Sequence, residues 1–93
     1  MKVNVNVKSF LLLSDAFKKK KEIQVELPGN TVGDLVQVLT QKYGRAVKEA
    51  LLDEEGQIPW DVRIIKNMNE FLNDDRMKAP LKEGDTLYFM VSG

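Results

Sequence analysis

The sequence predicts an α+β domain of two layers, with one amphipathic helix laid over one face of a mixed sheet of four to five strands. Three observations carry this. Apolar and polar residues alternate in residues 2–10 and again in 86–91, which is the period of a half-buried strand. Between them, Val32, Leu35, Val36, Leu39 and Tyr43 fall at the spacing of one helical face. Turn-forming residues separate the apolar runs throughout.

Taken in order, the first strand sets Val3, Val5 and Val7 against Asn4, Asn6 and Lys8. Residues 10–13 (FLLL) break the alternation, and Ser14-Asp15-Ala16 supplies turn or cap chemistry, so a wide hairpin connection with a local turn is expected. Its apolar residues must cover something, and some of Phe10, Leu12 and Phe17 should close one end of the core. The four lysines at 18–21 are the longest run of like charge. Beside a strand, such a run reads as a solvated loop that discourages edge pairing, rather than a patch for an acidic partner.

Ile23, Val25 and Leu27 alternate with Glu22, Gln24 and Glu26 and stop at Pro28-Gly29, giving a second strand antiparallel to the first. Thr31 followed by Asp34 resembles a capping box and starts the helix at Val32, and Gly44 stops it. Val47, Ala50 and Leu51 predict a second short helix over residues 45–52, closed by the acidic turn at 53–56. A third strand follows at 61–66, with Val62 and Ile64 on one face and Ile65 on the other. Phe71-Leu72 suggests a short fourth strand between the turns at 67–69 and 73–75, and residues 86–91 form the last.

Composition limits what such a domain does. A chain of 93 residues has room for one core and is read as a single domain over 1–93, with a short exposed tail at about 91–93. Residues are 43% hydrophobic and 30% charged, as in a soluble globular domain. The longest apolar run is too short for a bilayer span or a signal-peptide core, so a soluble cytoplasmic protein is the default expectation. Fourteen basic residues balance fourteen acidic ones, and no net field draws the chain to nucleic acid or a membrane. The sequence has no cysteine and no histidine. That removes thiolate chemistry, the usual general base and the commonest transition-metal ligand, and argues against a self-contained enzyme.

The stretch with most to say is residues 80–93, PLKEGDTLYFMVSG. It is a turn, then a strand with Leu87, Phe89 and Val91 on one face and Thr86, Tyr88 and Met90 on the other, then Ser92-Gly93. A hairpin, a crossover helix and later strands around an apolar last strand match the β-grasp arrangement, in which that strand lies centrally beside the first. The terminus would then leave from mid-sheet.

The opening KVNVNVKSF, the stretch IQVELPGNTVGDLVQVLTQKYG and above all the tail PLKEGDTLYFMVSG resemble the small sulfur carriers of the MoaD/ThiS family, ubiquitin-like β-grasp domains. The resemblance runs along nearly the whole chain and is closest to the molybdopterin synthase small subunit. It implies chemistry at Gly93. An E1-like adenylyltransferase, using ATP and magnesium, would convert the C-terminal carboxylate to an acyl-adenylate. A sulfur donor would then turn it into a thiocarboxylate, which a molybdopterin synthase large subunit would use to build the dithiolene that holds molybdenum or tungsten. The carrier itself would bind no permanent cofactor.

Small residues at the tail suit that scheme, because a terminal glycine has no side chain to obstruct a narrow channel. Val91, Ser92 and Gly93 are the expected tail. The family usually ends in Gly-Gly, whereas this sequence reads Ser92-Gly93. One residue of extended chain spans about 3.5 Å, so a tail shorter by one would miss the position that a Gly-Gly end reaches.

Ile65, Tyr88 and Met90 lie opposite the presumed core residues, and an apolar cluster on the uncovered side of a sheet suggests a partner-binding surface. Trp60 is expected to pack over the edge of the core, since a large aromatic is more often buried than displayed. An exposed partner anchor is the other reading. Asp53, Glu54 and Glu55, and likewise Asp74-Asp75, lack the loop spacing of a cation site. Two alternatives to a sulfur carrier stand: a ubiquitin-like interaction module with a chemically silent tail, and a protein modifier joined through Gly93 to lysines.

Overall fold

The computed structural model of the chain describes residues 1–73 and 75–91. β1 (Lys2–Ser9) is followed by a short helix α1 (Leu11–Ala16), β2 (Glu22–Glu26), the main helix α2 (Val32–Tyr43), and α3 (Arg45–Leu51). Then come β3 (Val62–Lys66), β4 (Glu70–Phe71), a 3-10 turn at Arg76–Lys78, and β5 (Thr86–Val91). The sheet order is β2-β1-β5-β3-β4. β1 and β2 are antiparallel, β1 and β5 parallel, and β5 and β3 antiparallel. The last strand is therefore central, beside the first, as the β-grasp reading expected.

Alternation decides which side of each strand is enclosed. Val3, Val5 and Val7 of β1, Ile23 and Val25 of β2, Val62 and Ile64 of β3, and Leu87 and Phe89 of β5 all join one buried cluster with Leu35, Val36 and Leu39 of α2. Burying a side chain of this size removes about 1.5–3 kcal/mol of unfavourable hydration, so this cluster is the main source of stability. Tyr43, the last residue of the predicted helical stripe, is only partly buried; its ring packs 4.8 Å from that of Phe17.

α2 begins where the sequence placed it. The Thr31 hydroxyl accepts a hydrogen bond from the Asp34 N–H at 3.2 Å, and the Asp34 carboxylate accepts from the Asn30 and Thr31 N–H groups at 3.0 and 3.2 Å. These bonds stabilise the charged form and hold the Asp34 carboxyl below its ordinary pKa, chiefly through the bond from Asn30. Gly44 ends the helix with φ +81°, a conformation that costs other residues strain. At Gly33 the reason for glycine is space: an added Cβ would lie 2.9 Å from the Met77 carbonyl oxygen, so α2 and the 3-10 turn could not approach as they do.

Three expectations need correcting. The connection after β1 is a helix, not a turn, so burial follows helical spacing: Phe10, Leu13 and Phe17 point into the core, while Leu12 is 67% exposed. Phe10 and Phe17 do close the core, and Leu13 takes the place expected of Leu12. Trp60 does not cap the core edge; it is 85% exposed, and nearby Ile58 is buried in the cluster instead. Val91 is the last residue of β5 and pairs with Val62, so it belongs to the sheet rather than to a tail, and it is partly exposed because it sits at the sheet's end. The lysine run is exposed as expected, with Lys18 and Lys19 in left-handed conformations that turn the chain into β2.

Candidate functional site

β5 is positioned by what holds its start. The Asp85 carboxylate, almost fully buried, accepts from the Lys82 N–H at 2.8 Å and from the Asn67 side-chain amide at 3.0 Å. The Asn67 side-chain oxygen in turn accepts from the Thr86 N–H at 2.9 Å, and the Asn67 N–H donates to the Thr86 carbonyl at 2.8 Å. On the other flank, the Asn4 N–H donates to the Asp85 carbonyl and the Gly84 N–H to the Lys2 carbonyl, both at 2.8 Å. The two bonds to the Asp85 carboxylate are charge-assisted and the stronger ones, and with the neutral bonds from Asn4, Gly84 and Asn67 they fix the start of β5 against both neighbours.

Ser92 and Gly93, predicted as tail and reactive residue, lie outside the described residues, as does Asp74 of the predicted acidic pair. The last described step before them is the Val62–Val91 pair, at the end of the central strand β5 and the start of its neighbour β3. Among the described residues there is no cluster of three or more carboxylates or other metal ligands, and no helix is long and apolar enough to cross a membrane.

The three predicted partner-binding residues do come together. Ile65 and Tyr88 are directly paired across β3 and β5, and Met90 follows on the same face of β5, opposite Arg63. Such cross-strand neighbours lie close enough for their side chains to touch. With Asn6, Glu22 and Met68 they line an open concavity of about 500 Å³ on the face that carries no helix. Each of the three is half-buried.

Two more apolar residues extend this face, and pattern reading passed over them. Phe71 is paired with Ile65, which puts it on the same side, and it is 57% exposed. Met68, strongly exposed, sits in the turn between β3 and β4 with a left-handed backbone. Their sequence context, Asn67-Met68-Asn69 and a two-residue strand, carries no period from which a face could be assigned.

The other end of β3 bears a different construction. The Arg76 guanidinium donates to three backbone carbonyls of the turn before β3: Ile58 at 2.6 Å, Pro59 at 2.7 Å, and Val62. The Val62 N–H closes the turn on the Pro59 carbonyl at 3.1 Å. Burial lowers the Arg76 pKa and nearby Asp61 opposes that; an arginine remains charged at neutral pH regardless. Trp60 stands out from this clamped turn into solvent.

Solved structures share this architecture along the whole chain. Small archaeal modifier protein 1 from Methanosarcina acetivorans matches with a TM-score of 0.72 at 25% identity, over 99% of this chain and 95% of that one. The fold is ubiquitin-like. CysO of Amycolatopsis orientalis, solved in a complex with BexX, matches at 0.74 and 24% identity over 98% of both chains. A Pyrococcus furiosus protein assigned as molybdopterin converting factor subunit 1 matches at 0.67 and 22%, over 100% and 99%. No protein-family model matches the chain, and no curated protein matches it in sequence. The mixed five-stranded sheet with its helices is thus the β-grasp that the MoaD/ThiS resemblance implied, and it is shared with small carrier and modifier proteins.

Proposed function

We propose that the chain is a sulfur carrier whose Gly93 carboxylate is activated as an acyl-adenylate and converted to a thiocarboxylate. The observation that carries the reading is the placement of β5: it is the central strand, it ends at Val91, directly before Ser92-Gly93 in the sequence, and its outer face borders an open concavity. The sequence contains neither cysteine nor histidine, so the body has no thiolate and no imidazole of its own, which suits a passenger acted on by other proteins.

A free carboxylate resists nucleophiles because its charge is delocalised. In the partner enzyme, a Gly93 carboxylate oxygen would attack the α-phosphorus of magnesium-bound ATP, forming the acyl-adenylate and releasing pyrophosphate. The terminal sulfur of a persulfide donor would then attack the acyl carbon and expel AMP. A second thiol would reduce the resulting S–S bond, leaving the thiocarboxylate and a disulfide. The body's part is to dock: Ile65, Tyr88 and Met90 supply the apolar contact, and the small Ser92 and Gly93 enter the partner's channel. The likeness to a molybdopterin converting factor subunit supports delivery of that sulfur to a molybdopterin synthase large subunit, for the molybdenum or tungsten cofactor.

The likeness at 25% identity to a small archaeal modifier favours a second use of the same intermediate, attack on the adenylate by a lysine amine to give an amide. Intact mass spectrometry after incubation with an E1-like adenylyltransferase, ATP and a sulfur donor tests the carrier reading. Exchange of oxygen for sulfur adds about 16 Da, following the activation logic of covalent intermediates. Deleting Gly93 abolishes the shift and leaves the unfolding midpoint unchanged. No shift with an enzyme shown to activate another carrier sinks the proposal, and amide-linked conjugates without thiocarboxylate would replace it with the modifier reading.

A further inference from the structure

Trp60 is the only tryptophan in the chain and the most exposed of its large apolar residues. We propose that Trp60, held on an arginine-clamped turn beside the end of β5, is the apolar anchor by which the adenylating enzyme grips the carrier next to residues 92–93. The inference rests on the carrier reading above and adds a contact that the open-face cluster does not include.

Position comes first. Trp60 lies two residues before Val62, and Val62 is the partner of Val91, the last described residue of β5. Two residues of extended chain reach at most about 7 Å. A protein surface that encloses the reacting atoms of residue 93 must therefore come up against this end of the sheet, and Trp60 is what it meets on the β3 side. On the β1 side it meets Leu11, two residues past Ser9, the residue paired with Met90; Leu11 is 77% exposed. Val91 itself is 41% exposed at the end of β5. Isolated exposed apolar residues are ordinary; what sets Trp60 apart is its place two residues from the strand pair that ends β5.

Presentation comes second. Ile58 is buried in the core cluster, whereas Trp60, two residues on, stands in solvent. The turn that carries it is fixed by the Arg76 guanidinium on the carbonyls of Ile58, Pro59 and Val62. An aromatic displayed on a backbone that is already ordered loses little conformational freedom when a partner covers it, which is the condition under which tryptophan dominates an interface. The occupant that fits is an apolar cleft at the mouth of the enzyme's tail channel, with room for one indole. Arg76 is a positioning residue in this scheme.

The test uses the full chain with 5-fluorotryptophan at its single tryptophan, titrated with the purified E1-like adenylyltransferase of the same organism, while thiocarboxylate formation is followed by intact mass. The 19F resonance should shift on binding. Trp60→Ala should raise Kd at least tenfold with an unchanged melting temperature, and Trp60→Phe should recover part of the loss. Arg76→Lys should raise Kd several-fold and increase the mobility of the free fluoroindole, a readout that a purely structural role elsewhere would leave alone. Binding with an unmoved resonance and an unaltered Kd for Trp60→Ala overturns this inference and leaves the carrier reading standing. A free chain that dimerises through Trp60 also overturns it. A wild-type chain that neither binds nor acquires sulfur removes the carrier reading, and the anchor with it.

Discussion

The two faces of β5 share one backbone and one register, yet they do different work. Leu87 and Phe89 are enclosed with the buried residues of α2, whereas Tyr88 and Met90, one position along, stay half-buried on a face that no helix covers. Both faces are apolar. The difference lies in what crosses them: α2 is the main helix, its buried stripe faces one side of the sheet, and the opposite side is left with an apolar surface and no intramolecular partner. Enclosed and open positions thus alternate along a six-residue strand.

The sharpest way to break this comparison is to remove one side chain from the enclosed face. Phe89→Ala should cost about 3–5 kcal/mol in denaturant unfolding, the usual loss for a buried aromatic and a large share of the stability of so small a domain. A cost below about 1 kcal/mol would mean that the enclosed face does not hold the fold. Charging the open face should do the reverse. Ile65→Lys combined with Tyr88→Asp, which puts opposite charges on the paired positions, should weaken binding to the activating enzyme more than tenfold, about 1.4 kcal/mol. Unfolding stability should fall by less than about 1 kcal/mol. Loss of folding in that double variant would place these residues in the core and end the distinction.

Smaller effects lie in the helix that creates the asymmetry. Thr31→Ala removes the hydroxyl that accepts the Asp34 N–H and should cost about 1 kcal/mol by chemical denaturation. Asp34 adds a pH dependence. Because its folded pKa is lowered, its contribution is fully present above the ordinary carboxylate value of 3.8 and is lost as pH falls through the lower folded value. Asp34→Asn should therefore flatten the acid limb of the stability profile and leave its shape near neutrality unchanged. An acid limb identical to that of wild type would show that Asp34 is not titrating with folding.

Much of this was legible in advance because strands and helices advertise themselves by period. Val3, Val5 and Val7, the Thr31–Asp34 cap and the stop at Gly44 follow from spacing and from the chemistry of single residues, and the central place of β5 from the match of the element order to the β-grasp arrangement. The open-face trio was legible for the same reason, since alternation names both sides of a strand at once. Period failed where elements are short. Four consecutive apolar residues at 10–13 fit a turn as well as a helix, and only the six-residue α1 decided that Leu13 turns inward and Leu12 outward. Phe71, in a strand of two residues, acquires its face only through its pairing with Ile65.

Trp60 shows the same limit from the other side. Hydrophobicity predicted burial, but burial is a matter of vacancy: Ile58 occupies the core position, and Arg76, eighteen residues from Ile58 in sequence, ties down the turn so that the indole points away. By itself, the sequence determined the period, the caps and the chemical poverty of the body, because those depend on residues near one another in the chain. Tertiary structure alone decided which apolar residues found a place inside and which stayed exposed, because that depends on contacts between segments whose separation no local pattern records.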